Sequence, residues 1–226
     1  MLSVLIPTHN EEKRIGKTLE ALVDFRKSSK RVFDIVLVDD GCDATARLAK
    51  RSAKVFQYSN RLGKGGAINV GLRLVKGDVL LYDADAACSP KDAFALVDAL
   101  KENDVAIASR YVAGAQTQGV TRGRFFASRI LNLIVRVLFG LPFADTQCGF
   151  KAMRSRVAKQ LAPQLFSKGF VWDVEFLYRA RKNGFSIAEI PVSWKHVSSG
   201  PLEAESVSKI AFKMLRDLLV LRFKLF

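Results

Sequence analysis

The chain has 226 residues, 49% of them hydrophobic, and a formal net charge of +14. That length suits one large α/β domain with a substantial core. The basic excess points to an anionic partner, such as nucleic acid, a phosphorylated substrate or a membrane surface. Cys42, Cys88 and Cys148 lie far apart with no C-x-x-C pair. This excludes a disulfide framework and a cysteine zinc site and reads as a reducing compartment. His9 and His196 are too few for a histidine-rich metal site.

In chain order, Leu2 to Ile6 is a short apolar strand, and no signal peptide is expected ahead of it. Pro7 to Glu11 is a turn, with Asn10 as the expected cap of a helix from Glu11 to Phe25. Phe33 to Val38 is a second strand, ending in Asp39-Asp40-Gly41. A helix over Ala44 to Ser52 and a third strand, Val55 to Tyr58, follow. Asn60 to Gly66 is a basic, glycine-rich loop that opens a helix reaching Val75. A strand over 78–82 runs into Asp83-Ala84-Asp85. Pro90 starts a helix to Leu100, and Val105 to Ser109 is another strand. This β-α alternation predicts a parallel, Rossmann-like sheet with flanking helices.

Beyond Arg110 the character changes. Residues 110–160 hold nine Lys or Arg and one acid, Asp145. Within them Phe125 to Phe139 reads as an amphipathic helix, with Arg129, Asn132 and Arg136 on one face and a broad apolar side. Lys209 to Phe226 is a second basic amphipathic helix. Such helices lie in a membrane interface when protein leaves the apolar face uncovered. The alternative is that both pack on the core or on a second subunit. No run reaches the ~18–20 apolar residues needed to span a bilayer. The expected location is therefore the cytosol or, peripherally, the cytoplasmic face of a membrane. One catalytic domain over 1–203 and a C-terminal helix over 204–226 are expected.

Four loops follow strands at their carboxyl ends: Pro7–Glu11, Asp39–Gly41, Asn60–Gly66 and Asp83–Asp85. In a parallel sheet these converge on one crevice. Two carboxylates one residue apart suit Mg²⁺ or Mn²⁺, which take one or two carboxylates plus substrate phosphates. Lys64 and backbone N–H groups of its loop can approach phosphates. The set describes a nucleotide-diphosphate site. There is no G-x-G-x-x-G after the first strand, and Gly63-Lys64-Gly65-Gly66 lacks P-loop spacing. Asp39-Asp40-Gly41 can also be a plain helix cap and turn.

These residues carry a resemblance. Val4 to Glu11, Val38 to Gly41, Asn60 to Gly65 and Asp83 to Asp85 resemble family 2 glycosyltransferases of the GT-A fold. Ser109-Arg110-Tyr111, Asp145-Thr146-Gln147-Cys148-Gly149-Phe150-Lys151 and Asp173-Val174-Glu175-Phe176-Leu177 resemble polyprenyl-phosphate (dolichyl-phosphate) glycosyl synthases, towards the β-glucosyl branch. The resemblance covers essentially the whole chain. It implies that Pro7, His9, Glu11 and Asp39 hold the base and ribose. Asp83 and Asp85 then ligate the metal, with Ala84 between them in the substrate-binding set, and Arg110 meets a donor or acceptor phosphate.

Arg122 and Arg124 are further acceptor-phosphate candidates, since arginine binds phosphate bidentately. They can equally be solvated charges at a helix start. The sequence departs from related synthases at Ala87, where a Gln would join the metal. It departs again at Ser198-Ser199-Gly200-Pro201-Leu202, where a basic Ser-Lys pair is missing, which leaves Lys195 or His196 as the alternative for that contact.

The implied reaction is a direct displacement in which the acceptor phosphate attacks C1 of the sugar and inverts it. Asp145 could orient the nucleophile, or could instead cap a helix or pair with a buried arginine. UDP-glucose with a polyprenyl phosphate is the expected pair, and GDP-mannose on the same fold is the alternative. A non-catalytic nucleotide-sugar-binding protein is a third reading. A nucleic-acid-binding protein is the fourth, and the chain lacks helix-turn-helix, zinc and RRM signatures for it.

Overall fold

The computed structural model describes residues 1–197 and 207–225. Strands β1 (Leu2–Thr8), β2 (Asp34–Asp39), β3 (Lys54–Gln57), β4 (Asp78–Leu81), β5 (Val105–Ser109), β7 (Lys151–Met153) and β8 (Ile187–Pro191) form one sheet in the order β3-β2-β1-β4-β7-β5-β8. β7 runs antiparallel to β4 and β5, and every other pairing in that sheet is parallel. A small second sheet pairs β6 (Gln116–Gln118) with β9 (Ser193–Lys195). A sheet parallel except for one inserted strand, with helices on both faces, is the expected α/β class.

Alternation along β1 divides the core. Val4 and Ile6 face helices α1 (Ile15–Ser29) and α4 (Pro90–Ala99). Leu5 faces α3 (Gly63–Leu74), α6 (Ser155–Leu161) and α7 (Trp172–Lys182). A strand buried on both faces reads as a continuous apolar run, which is why β1 and β2 were legible. The short α2 (Thr45–Ala49) lies between β2 and β3.

Several boundaries differ from expectation. Asn10 does not cap α1; its backbone is left-handed (φ 56°), and its Oδ1 accepts from the Cys42 N–H at 2.9 Å. Helix α1 begins four residues later than expected, at Ile15, without a side-chain cap. The strand between β4 and β5 was not expected. Its three residues include Lys151, which is fully buried with its ammonium on Asp173 at 2.6 Å and on the Cys148 carbonyl.

Helix α5 (Arg122–Phe139) is amphipathic, but Asn132 and Arg129 of its polar face turn inward, while Arg136 stays exposed. Asn132 is buried: its amide donates to the Phe143 and Ala144 carbonyls and accepts from the Thr146 N–H and hydroxyl. Arg129 donates to the Ala144 carbonyl at 3.0 Å. Phe126, Ile130, Leu133 and Val137, at i, i+4, i+7 and i+11, are 58–76% exposed. Helix α8 (Val207–Leu225) packs beside α5, burying Leu218 and Leu221 in the common core and exposing Phe212 and Phe223. The expected boundary at 203/204 and the Ser198–Leu202 departure lie outside the described residues. Among the described residues no helix is long and apolar enough to cross a membrane.

Candidate active site

The four loops meet at the carboxyl edge of β1, β2 and β4, joined side chain to side chain. Thr8 donates to Asp39 Oδ1 at 2.8 Å. His9 Nδ1 lies 2.9 Å from Asp40 Oδ1. Asp40 Oδ2 accepts the Leu62 and Gly63 N–H groups, both at 2.7 Å, and its Oδ1 accepts from Arg61 at 3.1 Å. Lys64 reaches Asp83 Oδ1 at 3.1 Å. These bonds close a ring from β1 through β2 and α3 to β4.

The glycine-rich loop differs from expectation. Three of its backbone donors are already used, since Asp40 takes two and the Lys168 carbonyl takes the Gly65 N–H at 2.9 Å. Asp40 thus fills the anion site at the start of α3, where partial positive charge collects. The glycines serve packing instead. A Cβ at Gly65 would overlap the Ser167 carbonyl and the Trp172 side chain. Of the charged side chains of this loop, Lys64 reaches Asp83, and Arg61 reaches Asp40 while staying exposed. Burial opposes the Lys64 charge, but Asp83, and behind it Asp173, more than restore it and raise its pKa.

Asp39 is fully buried, and its Oδ2 has no hydrogen-bond partner. Burial raises its pKa despite the Thr8 and Gly41 donors. A buried acceptor of this kind calls for a donor such as a base N–H or a ribose hydroxyl. Glu11, expected beside it, has both oxygens on the Arg14 guanidinium at 2.6 Å. Burial raises the Glu11 pKa, and Asp85 and Asp83 add to the rise, so it faces the same crevice. Pro7 stands near the end of β1, paired in register with Val38.

Asp83 and Asp85 follow β4. Thr18 of α1 donates to the Ala84 carbonyl at 2.6 Å, and the Ala84 methyl is buried. Ala84 therefore anchors the turn and turns no side chain to a ligand. Asp85 Oδ1 accepts from the Ala87 N–H at 3.1 Å, and Ala86 is left-handed (φ 52°). Burial and the neighbouring Asp83 charge raise the Asp85 pKa. Gly149 lies so close to Asp83 that a Cβ there would overlap its Oδ2 and Cγ. The carboxylate is therefore fixed from the side of β7. Ala87 is buried and brings no ligand. Among the described residues no third His, Cys, Asp or Glu joins this pair as a metal cluster. Two hard oxygen donors that repel one another fit a divalent cation whose remaining ligands come from a diphosphate.

Arg110 follows β5. Its guanidinium forks onto Asp145 at 2.7 and 3.0 Å, and its backbone N–H reaches the same carboxylate at 3.1 Å. Burial alone would raise the Asp145 pKa, but Arg110 holds it below the usual carboxylate range. Glu189 of β8 accepts the Ala144 and Asp145 N–H groups at 3.0 and 2.8 Å. The Arg110 guanidinium lies 5.3 Å from both the Tyr111 and Trp194 rings, within cation–π range. Both Asp145 oxygens are thus committed to Arg110. The Gln147 Nε2, two residues on, is buried without a partner.

Arg122 is exposed at the start of α5. Arg124 lies in the first turn of α5, with its guanidinium 2.7 Å from His196 Nε2. Sequence reasoning missed Asp40 as the clamp of the glycine loop, Glu189 and Asn132 as supports of the 143–146 segment, and Gly149 behind Asp83. Gly149 lay inside a quoted motif, but its partner is remote in sequence.

The geometry is matched by comparison with known proteins. A family model described as glycosyl transferase family 2 matches residues 3–162. Glycosyltransferase AglD of Haloferax volcanii is 32% identical over 86% of this chain, which spans only 33% of that protein. Dolichyl-phosphate beta-glucosyltransferase of Saccharomyces cerevisiae is 31% identical over 98% of the chain and 74% of its own length. The human enzyme of the same name is 31% identical over 89% and 69%. A crystal structure of glucosyl-3-phosphoglycerate synthase from Mycobacterium tuberculosis, in complex with Mn²⁺, UDP and phosphoglyceric acid, superposes with a TM-score of 0.73 at 20% identity. It covers 97% of this chain and 78% of that one, and shares the fold. The loops gathered at one sheet edge and the match across most of the chain agree: the chain belongs to glycosyl transferase family 2.

Proposed function

We propose that this glycosyltransferase moves glucose from UDP-glucose to a polyprenyl (dolichyl) phosphate at a membrane surface, giving a β-linked product. The observation that carries the reading is the pair Asp83 and Asp85 beside Lys64, with Arg110 forked onto Asp145 after β5. The printed names of the yeast and human relatives support the acceptor and the sugar. The UDP and Mn²⁺ in the mycobacterial structure support a uridine donor and a divalent metal.

The free Asp39 Oδ2 accepts from the base or ribose. Asp83 and Asp85 would hold the metal, either Mg²⁺ or Mn²⁺, which would supply Lewis-acid stabilisation to the charge of the diphosphate. The chain's own groups do the positioning. Lys64 offers its ammonium to the diphosphate. Arg110 binds phosphate, with Asp145 as the carboxylate that aims it. Arg124, Arg122 and His196 gather at the start of α5, where the acceptor phosphate arrives. A phosphate monoester is largely ionised at neutral pH, its second pKa being about 6, so the nucleophile needs no base. This assigns Asp145 to positioning and not to activating the nucleophile. An acceptor phosphate oxygen bonds to C1 as the bond from C1 to the UDP oxygen breaks. Bringing two anions together by fixed cations is mostly proximity and electrostatics.

A transfer assay with Mn²⁺, polyprenyl phosphate in detergent and labelled UDP-glucose is expected to give label extractable into organic solvent. Label from GDP-mannose alone would move the donor. No lipid-linked label from either donor would overturn the acceptor.

The exposed stripe of α5 supports the membrane surface. A helix in water turns its polar side out, whereas α5 spends Asn132 and Arg129 on the protein and leaves Phe126, Ile130, Leu133 and Val137 uncovered. Arg122 and Arg136 flank that stripe for anionic head groups. Co-flotation with anionic vesicles is expected for the native chain. Leu133→Asp with Val137→Asp is expected to lower the bound fraction at least about fivefold, given the cost of removing two buried aliphatics from the interface. Equal flotation of both proteins would remove the membrane from the reading.

A further inference from the structure

We propose that Lys64 is a placeholder cation of the metal site: it holds Asp83 until the donor arrives, so that divalent metal and nucleotide load together. The inference rests on the nucleotide-diphosphate reading above and goes beyond it.

Three features carry it. Lys64 Nζ lies 3.1 Å from Asp83 Oδ1, with side chains 21% and 27% exposed, so the pair is partly shielded from solvent. Asp83 has little room to turn away, because the Gly149 backbone lies against its Oδ2 and Cγ. The ammonium also has a second anionic neighbour in Asp173, which is buried and already bonded to Lys151 at 2.6 Å.

The charges then decide the order of events. Asp83, Asp85 and Lys64 sum to one negative charge. A divalent ion arriving alone must share Asp83 with an ammonium already on it, and the two cations repel. A diphosphate arriving alone meets a site of net negative charge, and if it draws Lys64 away it leaves Asp83 and Asp85 unshielded beside it. When both arrive, the diphosphate gives Lys64 a new acceptor and gives the metal its remaining ligands. Each ligand thereby removes the obstacle to the other, and the coupling is reciprocal, typically 5–150-fold.

Lys64→Met separates this from the ordinary synergy of a metal–diphosphate chelate, because methionine keeps an unbranched side chain and drops the charge. Mn²⁺ is titrated calorimetrically into native and variant protein, with and without UDP, and UDP is titrated without metal. The native protein is expected to bind Mn²⁺ weakly alone and at least about tenfold more tightly with UDP, within the usual range for coupled ligands. Lys64→Met is expected to bind Mn²⁺ alone about tenfold more tightly than native, with weaker metal-free UDP binding and a smaller effect of each ligand on the other. Lys64→Arg keeps the charge and is expected to behave as native in the metal-alone titration. If Lys64→Met binds Mn²⁺ alone no better than the native chain, the placeholder role is overturned while the nucleotide site stands. If native protein with Mn²⁺ takes up no UDP, the nucleotide reading fails, and this inference with it. Unfolding midpoints of the variants check that each is folded, and Lys64→Gln serves if the methionine variant is not.

Discussion

Asp85→Asn is expected to reduce transfer at least about 10³-fold, since a metal's charge stabilisation is worth several kcal/mol and each 1.36 kcal/mol is tenfold. The substitution keeps the size of the side chain and its contact with the Ala87 N–H, but removes a charge from the proposed metal pair. Its effect on stability is expected to have the opposite sign. Burial and Asp83 raise the Asp85 pKa in the folded chain. A raised folded pKa means that the folded state prefers the protonated acid. The stabilising proton is present below the unfolded value, about 4 for an aspartate, and is lost as pH rises through the folded one. At neutral pH the ionised Asp85 therefore opposes folding, and the neutral amide relieves it. The unfolding midpoint of Asp85→Asn should equal or exceed the native one. Transfer above a tenth of the native rate, in protein with that midpoint, would remove Asp85 from the site.

Asp145→Asn is expected to act in the reverse way on stability. Asp145 is buried and takes both prongs of the Arg110 fork. Removing one partner of a buried pair leaves a charge without compensation and costs about 3–5 kcal/mol. Arg110 keeps some solvent contact, with 17% of its side chain exposed, so the lower figure applies. For a chain of this size that corresponds to a midpoint roughly 6–12 °C lower. The pH sign follows from the lowered Asp145 pKa. Its contribution is full above the unfolded carboxylate value and is lost as pH falls through the folded one. The gap between native and Asp145→Asn midpoints should therefore narrow as the pH is lowered below about 4. Activity should fall as well, because Arg110 loses the carboxylate that aims it. A variant as stable as the native chain would mean that the pair contributes nothing to the fold.

The donor side of the molecule was legible because each motif there follows an apolar run at strand length. Asp83-Ala84-Asp85 stands out once β4 is recognised, and the other three loops fall at the same sheet edge by topology alone. What the sequence hid depends on contacts that reverse ordinary polarity. Lys151 reads as a surface residue, so β7 went unseen, yet its ammonium is buried on Asp173. Asn132 and Arg129 read as the wet side of α5, yet they grip the backbone of 143–146. The glycines of the 60–66 loop read as a phosphate cradle, yet Asp40 already occupies the donors there. In each case a polar group was assigned to solvent or ligand and the folded chain had claimed it.

The contact between Gly149 and Asp83 also bears on how the site comes into being. The motifs proposed to recognise the donor lie within the first 85 residues and can form their own parallel strands early. Their final geometry, however, depends on segments much later in the chain: Gly149 against Asp83, and Ser167 and Trp172 against Gly65. Closing such long stretches of chain is the slow part of folding. The proposed donor site is thus completed late in folding, and donor binding there would report that the second half of the chain has docked on the first.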